Sequence, residues 1–159
     1  MIKLRIATTN EAADLTAISK ITFDDDSKRF SPFKTGGPPG YDSVEFQKDM
    51  MDRCDYFCIY FENTLIGGLF YYKKEEASYH LVRIFILPEY QNRGIGREVF
   101  RMLDEMVADA CKWELDTPGW AIRNHHFYES LGYKKVKEEY LENDGFSLYF
   151  YERCVTDQE

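Results

Sequence analysis

At residues 91–97 the chain reads Gln91-Asn92-Arg93-Gly94-Ile95-Gly96-Arg97, between an apolar strand predicted over 80–87 and a helix predicted from about residue 95 to 110. Two glycines one residue apart keep Cβ atoms away from the backbone where that helix starts. The unpaired N–H groups of the first turn and the positive end of the helix dipole then face one point. The stretch therefore predicts an anion site, and a diphosphate has a suitable charge and size.

Two common phosphate-binding motifs do not fit this loop. A P-loop requires Gly-Lys-Ser/Thr at its end, whereas Gly96 is followed by Arg97 and Glu98. A dinucleotide fingerprint requires a third glycine three residues after the second, where this chain has Val99. The loop thus supports neither a nucleoside triphosphatase nor a dinucleotide-binding protein.

The loop resembles the acyl-CoA loop of the GNAT acetyltransferase family, in which Gln/Arg-x-x-Gly-x-Gly/Ala follows a strand that ends in an apolar residue and a proline. The matching positions are Ile86, Pro88, Gln91, Gly94 and Gly96. A second segment, residues 124–133, resembles the family's Phe-Tyr-Glu-x-x-Gly-Phe/Tyr motif. Because both motifs occur at the expected distance, the chain is identified as a small, bacterial-type, single-domain member over residues 2–151.

Composition is consistent with one compact domain over residues 1–159, which the resemblance implies is a single N-acetyltransferase domain. A chain of this length buries roughly 70% of its unfolded surface. The net charge of −8 argues against nucleic acid or a membrane as a partner and favours an amine substrate. Residues 1–6 alternate like a first strand instead of forming a signal peptide, and no apolar run reaches ~18 residues. A cytoplasmic location is therefore expected.

Neither a metal site nor a disulfide framework is expected. Cys54, Cys58, Cys111 and Cys154 lack CxxC spacing, and no histidine lies at ligand distance from the closest pair. Reduced thiols fit an intracellular enzyme. The adjacent residues 125 and 126 are both histidines, but neighbouring helix positions point in different directions, so both are expected at the surface.

Hydrophobic periodicity predicts a strand at 1–6, a helix from 12 to about 22, an irregular loop over 24–42 and a helix over 43–53. Strands follow at 56–61, 65–73 and 79–87, then the helix at 95–110, a strand at 112–117, a helix at 122–131, and strands at 134–141 and 146–154. The expected class is α+β (α/β layered). Its GNAT-like form has a mixed, mostly antiparallel central sheet of about seven strands, flanked by about four helices.

The resemblance implies how acetyl-CoA is held. A bulge separates the strand at 79–87 from its parallel neighbour at 112–117, so that exposed backbone groups pair with the pantetheine arm. The pyrophosphate is expected over residues 92–97, although the two arginines there are also compatible with solvated positions at the start of a helix. The expected acetyl-CoA contacts are Ile84, Phe85, Ile86, Gln91, Asn92, Arg93, Gly94, Ile95, Gly96, Arg97, Asn124 and Phe127.

The implied reaction transfers the acetyl group to a primary amine by direct attack in a ternary complex. Tyr128 is the expected general acid for the CoA thiolate, and the Ile86 N–H the expected oxyanion donor. Two residues match the positions at which relatives carry a base, His80 and Asp116, and water is the third alternative. Relatives bind the pantetheine with an asparagine at a position that is Ala121 here, so Asn124, one helical turn before Tyr128, is expected to replace it.

The acceptor, a small molecule or a peptide amine, is expected beside the first helix, the loop at 24–42 and the closing strand pair. The acidic run at residues 24–26 is compatible with an ammonium group, and equally with a solvated turn. A non-catalytic module that binds or senses acyl-CoA is the alternative function, although Tyr128 argues against it. For the oligomeric state, the aromatic strand at 146–151 is a candidate pairing edge of a homodimer.

Overall fold

The computed structural model describes residues 1–33 and 35–155. Within them the chain forms seven strands and four α-helices: β1 (Ile2–Ile6), α1 (Ala12–Phe30), α2 (Val44–Arg53), β2 (Asp55–Phe61), β3 (Thr64–Glu75), β4 (Ser78–Ile86), α3 (Ile95–Met106), β5 (Lys112–Pro118), α4 (Ile122–Ser130), β6 (Lys134–Leu141) and β7 (Phe146–Cys154). These elements confirm the predicted α+β class. That residues 1–159 form one domain stays a prediction.

The strands form one mixed sheet in the order β1-β2-β3-β4-β5-β7-β6. Every neighbouring pair is antiparallel except β4 and β5, which are parallel. Side chains alternate between the two faces, as Tyr56 and Phe57 do at the start of β2. One face packs against α1 and α2 around Leu15, and the other packs against α3 and α4 around Phe100. The sheet is therefore covered on both faces.

The parallel pair β4–β5 is paired over only three positions. Ser78, Tyr79 and His80 face residues 112–114, and no pairing follows toward the ends of the two strands. On the other side of β4 the register with β3 shifts at residue 82, which marks a β-bulge. A bulge bends its strand, so β4 diverges from β5 and leaves a wedge that is open between residues 81–86 and 115–118.

Helix α1 is longer than predicted and continues to Phe30 instead of ending near residue 22. The apolar pattern fades after Ile18 because the later buried positions include Thr22 and Ser27. The Thr22 hydroxyl is satisfied by the carbonyl of Ile18 at 2.8 Å. Ile21, which the periodicity assigns to the buried face, is 54% exposed. The predicted loop at 24–42 is thus shortened to the segment that joins α1 to α2.

Two further predictions differ from the structure. Helix α3 ends at Met106 instead of about residue 110, because Val107 leaves the helical region and the turn that follows buries Val107 and Ala110. Strand β7 is not an edge, because it lies between β5 and β6 and both sides of its backbone are paired. It therefore cannot pair with a second copy through a free edge, and a homodimer stays a prediction.

Among the described residues, no helix combines the length and apolarity needed to cross a membrane. The cytoplasmic location stays a prediction.

Candidate active site

The glycine loop adopts the backbone conformation that its glycines favour. Gly94 precedes α3 with φ +81°, in the left-handed region, and Asn92 has φ +62°. Gly96 lies against α4, since a Cβ there would lie 3.3 Å from the Phe127 ring. The loop is exposed at residues 92–94, and the N–H groups at the start of α3 that follow it have no acceptor within the helix before Glu98, which donates to the Gly94 carbonyl.

Three guanidinium groups surround this loop in a chain whose net charge is −8. Arg93 lies over the Tyr90 ring, with its Cζ 5.3 Å from the centroid. Arg97 donates to the Ser130 hydroxyl at 2.8 Å, which links α3 to α4. Arg123, which the motif does not include, extends from α4 to within 3.5 Å of the Asn92 side-chain oxygen. The local charge is thus positive where the sequence predicts a diphosphate.

Gln91 fixes the loop to the end of β4, because its Nε2 donates to the Ile86 carbonyl at 2.8 Å. The N–H of Leu87 donates to the carbonyl of Ile66 on the β3 side at 2.9 Å. Backbone groups of consecutive strand residues point to opposite neighbours. Phe85 therefore directs its backbone toward β3 with its ring buried, whereas Ile84 and Ile86 direct theirs toward the wedge.

A cavity of about 730 Å³ occupies the wedge and the space beside it. This volume is typical of sites for small molecules, which span roughly 300–1,000 Å³. Its inner wall is formed by residues 80–84 of β4, residues 115–118 of β5, and Asn124 and Tyr128 of α4. Its outer wall is formed by α1, by the segment between α1 and α2, and by the β6–β7 hairpin. The cavity therefore connects the donor side of the sheet to the face that α1 covers.

Tyr128 lines this cavity and is 9% exposed. Its ring packs against Phe100, Tyr133 and Tyr151 at centroid distances of 6.0–6.2 Å. Burial raises the pKa of the Tyr128 phenol, and the negative charges of Asp26 and Asp116 add to the rise. The phenol therefore keeps its proton at neutral pH.

The structure brings the two candidate bases together. His80 Nε2 lies 3.8 Å from a carboxylate oxygen of Asp116. On its other side, His80 Nδ1 lies 3.2 Å from Glu114 Oε1, which also accepts from Lys74 at 2.9 Å. Burial pushes the pKa of Glu114 up, but the hydrogen bonds from Lys74 and His80 outweigh it and the pKa is lowered. An ionised carboxylate can only accept, so Nδ1 carries the proton and Nε2 is left as an acceptor.

Asp116 differs from Glu114 in its surroundings. Burial raises the pKa of Asp116, and nearby His80 and Arg83 only partly oppose the rise. Arg83 lines the cavity as well, but its guanidinium donates to the Pro39 carbonyl at 2.5 Å and lies over the Phe46 ring. Burial lowers the pKa of Arg83 to about 10. Because the Arg83 guanidinium is engaged with the protein, the Asp116 carboxylate is the one of these two charged groups that remains available to a ligand in the cavity.

Asn124 lines the cavity, and its Nδ2 donates to the Thr117 hydroxyl at 3.2 Å. His125 is buried, contrary to the surface position expected for it, while His126 is exposed. The His125 ring stacks on Tyr149, and its Nε2 lies 2.9 Å from the Pro118 carbonyl. His125 thus supports the end of β5 from behind the cavity.

Sequence reasoning did not identify Glu114 as part of this site. Glu114 and Asp116 are two residues apart on β5 and share a face with His80, so the alternation of side chains along the strand could have indicated Glu114. The loop at 24–42, expected beside the acceptor, contributes residues 35–39 to the cavity wall, and that an acceptor binds there stays a prediction.

The described part of the chain contains no cluster of three or more His, Cys, Asp or Glu side chains suited to a metal ion. All four cysteines are unpaired, and only Cys58 is buried.

The middle of the chain matches a known protein family. Residues 52–135 match the family described as "Acetyltransferase (GNAT) domain". This match extends from the end of α2 through the wedge, the glycine loop and α4, which is more than half of the chain.

The chain belongs to the GNAT acetyltransferase family.

Solved GNAT structures share its fold along nearly its whole length. The PaiA N-acetyltransferase of Thermoplasma acidophilum, in complex with coenzyme A, is 16% identical with a TM-score of 0.76, covering 98% of this chain and 99% of that one. An acetyltransferase of Thermus thermophilus is 18% identical with a TM-score of 0.78, covering 98% and 97%. A GNAT acetyltransferase of Elizabethkingia anophelis with acetyl-CoA bound is 13% identical with a TM-score of 0.69, covering 97% and 98%. No curated protein sequence matches the chain.

Proposed function

We propose that this protein is an acetyl-CoA-dependent N-acetyltransferase that moves the acetyl group to a primary amine by direct attack. The observation that carries the proposal is the wedge between β4 and β5, which opens beside the glycine-loop helix and ends at Tyr128 and His80. A donor that enters there has its phosphates at one end and its thioester at the other. Two of the structural relatives were crystallised with coenzyme A or acetyl-CoA, which supports this donor.

The donor is held mainly by backbone groups. The pyrophosphate accepts from the N–H groups at the start of α3, and Arg93, Arg97 and Arg123 add positive charge. The pantetheine arm pairs with Ile84 and Ile86, whose backbone groups are directed into the wedge. Asn124 lies on the cavity wall between this arm and Tyr128 and serves as a further polar contact.

His80 is proposed as the base, with Glu114 as a positioning residue. The Glu114 carboxylate accepts from Nδ1, so that Nε2 is the acceptor nitrogen of the neutral imidazole. Asp116 lies 3.8 Å from Nε2 and is proposed to accept a hydrogen bond from the incoming ammonium group. An ammonium between these two groups donates to both, so binding and deprotonation occur at one place.

The proton and electron balance follows from these roles. His80 Nε2 takes one proton from the ammonium, and the amine lone pair then attacks the thioester carbonyl while the Ile86 N–H stabilises the oxyanion. As the carbon–sulfur bond breaks, Tyr128 donates its proton to the departing thiolate. The second proton of the attacking nitrogen returns to the phenolate. The products are the amide, free CoA thiol and one proton released to solvent.

The acceptor also affects the acidity of Tyr128. The negative charges of Asp26 and Asp116 contribute to the raised pKa of the phenol. An ammonium ion beside these carboxylates opposes their charge, so it lowers the pKa of Tyr128 relative to the free enzyme. Proton donation to the thiolate therefore becomes easier only when the acceptor is present.

The proposal is tested by following free thiol while the protein is incubated with acetyl-CoA and a panel of primary amines. Thiol release above the rate without amine, with the N-acetylated product identified by mass, is the expected result. Saturable CoA binding without release on any amine would contradict the enzyme and favour an acyl-CoA sensing module. Absence of both binding and release would contradict the donor site itself.

A further inference from the structure

We propose that the acceptor is a monoamine with an apolar body of about the size of an aromatic ring and with no carboxylate. This inference rests on the proposed function and names the substrate class of the same site. The outer part of the cavity combines negative charge near the base with an apolar wall farther out. The negative charge favours the ammonium end of the acceptor, and the apolar wall favours an apolar body.

The charged residues that line the cavity are unbalanced. Three of them are carboxylates, Asp26, Asp116 and Asp144, and the one lysine or arginine among the described lining residues is Arg83. Its guanidinium donates to Pro39 and lies over the Phe46 and Phe70 rings, so it is engaged with the protein. The ammonium group of an acceptor would offset part of this negative charge.

Asp26 is a half-buried carboxylate that lines the cavity. No hydrogen bond or ion pair within 4.0 Å joins it to another described residue, and burial raises its pKa although the more distant charges of Arg123 and Arg29 oppose the rise. A partly buried carboxylate is stabilised when a cation and a hydrogen-bond donor reach it. Asp26, Asp116 and Tyr128 line the same cavity, so both carboxylates are available to the amine that attacks there.

The outer wall is apolar and only partly covered by the protein. Phe33 and Phe146 meet edge to face at a centroid distance of 6.0 Å, and Phe33 is 39% exposed. A Cβ at Gly145 would lie 4.0 Å from the Phe33 ring, so the β6–β7 turn closes against this residue. Leu141 and Leu148 also line the cavity. Burial of an apolar body here removes exposed aromatic and aliphatic surface from water.

Residues 36–41, which follow α1 and belong to the same side of the cavity, are anchored to α1 without an acceptor. Asp24 accepts from the Tyr41 hydroxyl at 2.7 Å and from the Gly36 N–H at 3.1 Å. A Cβ at Gly37 would lie 2.8 Å from the Phe23 Cβ, which shows how closely the segment packs on α1. A preformed wall reduces the entropy lost when the acceptor binds.

Other amine classes fit less well. An amino acid would bring its carboxylate among three negative side chains, and like charges in close contact cost several kcal/mol. A diamine would bring its second ammonium against the Phe33 and Phe146 rings, where the carboxylate on the same hairpin, Asp144, is exposed and offers only a weak ion pair in exchange for the lost water. An arylalkylamine has neither difficulty.

The test compares four amines on the wild-type protein by kcat/KM at one pH: 2-phenylethylamine, ethylamine, L-phenylalanine and 1,4-diaminobutane. We expect 2-phenylethylamine to exceed ethylamine by about 10–200-fold, the range that apolar pocket contacts supply. We expect L-phenylalanine to fall about 100-fold or more below 2-phenylethylamine, and the diamine about tenfold below it.

Comparable or better use of phenylalanine, diaminobutane or ethylamine would overturn the acceptor class while the proposed function stands. No thiol release from any of the four would overturn both. The two failures are therefore distinguishable in one experiment.

Variants test whether the cavity residues cause the preference for 2-phenylethylamine over ethylamine. Phe146→Ala should reduce the advantage of 2-phenylethylamine over ethylamine about tenfold, with Phe146→Leu as the milder change and Tyr140→Ala, outside the cavity, as the control. Asp26→Asn should raise KM for 2-phenylethylamine about tenfold, whereas Asp25→Asn, one residue away and paired with Arg29, should not. An unchanged preference in folded Phe146→Leu and an unchanged KM in Asp26→Asn would contradict the proposal.

Discussion

The donor side and the acceptor side of this molecule are built in different ways. The donor side comprises β4, the glycine loop, α3 and α4, and most of its proposed contacts are backbone groups from two short stretches of sequence. The acceptor side is lined by residues from the ranges 23–33, 35–39, 80–83, 115–120 and 141–148, which only the fold brings together. Backbone geometry can be maintained with a few glycines, whereas a cavity wall of side chains is free to vary. The donor can therefore be common to a family while the acceptor differs.

The largest expected effect concerns Tyr128, which lies where the two sides meet. Tyr128→Phe removes the proposed acid and should lower kcat about 100-fold or more, within the range of general acid catalysis. The dissociation constant for CoA should stay within about twofold, because the ring remains. Steady-state rates and calorimetry check the two values, with exposed Tyr140→Phe as the control. Full activity in Tyr128→Phe would remove the phenol from the mechanism.

A second pair of changes separates the base from its positioning residue. His80→Gln should lower kcat about 100-fold, because the imidazole nitrogen that accepts the proton of the ammonium group is then absent. Glu114→Gln keeps His80 but loses the ionised acceptor of Nδ1, so it should lower kcat by about tenfold with little change in KM. Glu152, opposite Glu114 on β7, provides the matched control as Glu152→Gln. A larger loss in Glu114→Gln than in His80→Gln would contradict these roles.

The donor side alone should respond to a change in the glycine loop. Gly94→Ala places a Cβ on a residue with φ +81°, which costs roughly 1–2 kcal/mol. If the loop relaxes to relieve this strain, CoA affinity should fall about tenfold. The relative kcat/KM values for different amines should not change, because no acceptor residue has moved. Calorimetry with CoA and the amine panel measure both; altered amine selectivity would show that the two sides are coupled.

The smallest expected effect is on stability. The pKa of Asp116 is raised, so the unfolded state ionises first as pH increases, and the charge then disfavours the folded state. Asp116→Asn should match the wild type in acid and be more stable near pH 7, by no more than about 1 kcal/mol because the side chain is 36% exposed. Activity should fall at the same time. Thermal unfolding at pH 4 and pH 7 tests the sign, and a less stable variant at pH 7 would contradict it.

The sequence predicted the donor side more fully than the acceptor side, for physical reasons. Residues 91–97 and 124–133 carry local signals, and the strand periods of β2 to β7 are clear enough to place nearly every element. The extension of α1 was missed because its buried positions include Thr22 and Ser27, whose hydroxyls are satisfied by backbone carbonyls or by a neighbouring side chain. The sequence also could not show that β7 is internal, since strand order in a sheet depends on contacts between distant residues.

The apolar wall of the acceptor side was not predicted, because it too depends on contacts between residues that are distant in the sequence. Phe33 and Phe146 are separated by more than 100 residues, and each resembles an ordinary surface or core aromatic residue in isolation. Their contact becomes visible only when the end of α1 and the β6–β7 hairpin lie on the same side of the sheet. The acidic run at residues 24–26 was a local signal, but only the fold shows that Asp26 is its member on the cavity wall. His80 and Asp116 were chosen as alternatives for one role, and their 3.8 Å separation instead suggests that they share it.

The central claim is that the backbone amides of residues 92–97 and the wedge beside them bind coenzyme A. A calorimetric titration of the folded protein with CoA tests it most directly. The account predicts saturable binding with one CoA per chain and a weaker affinity in Gly94→Ala. No saturable heat at millimolar CoA, from protein whose folding has been verified, would contradict it.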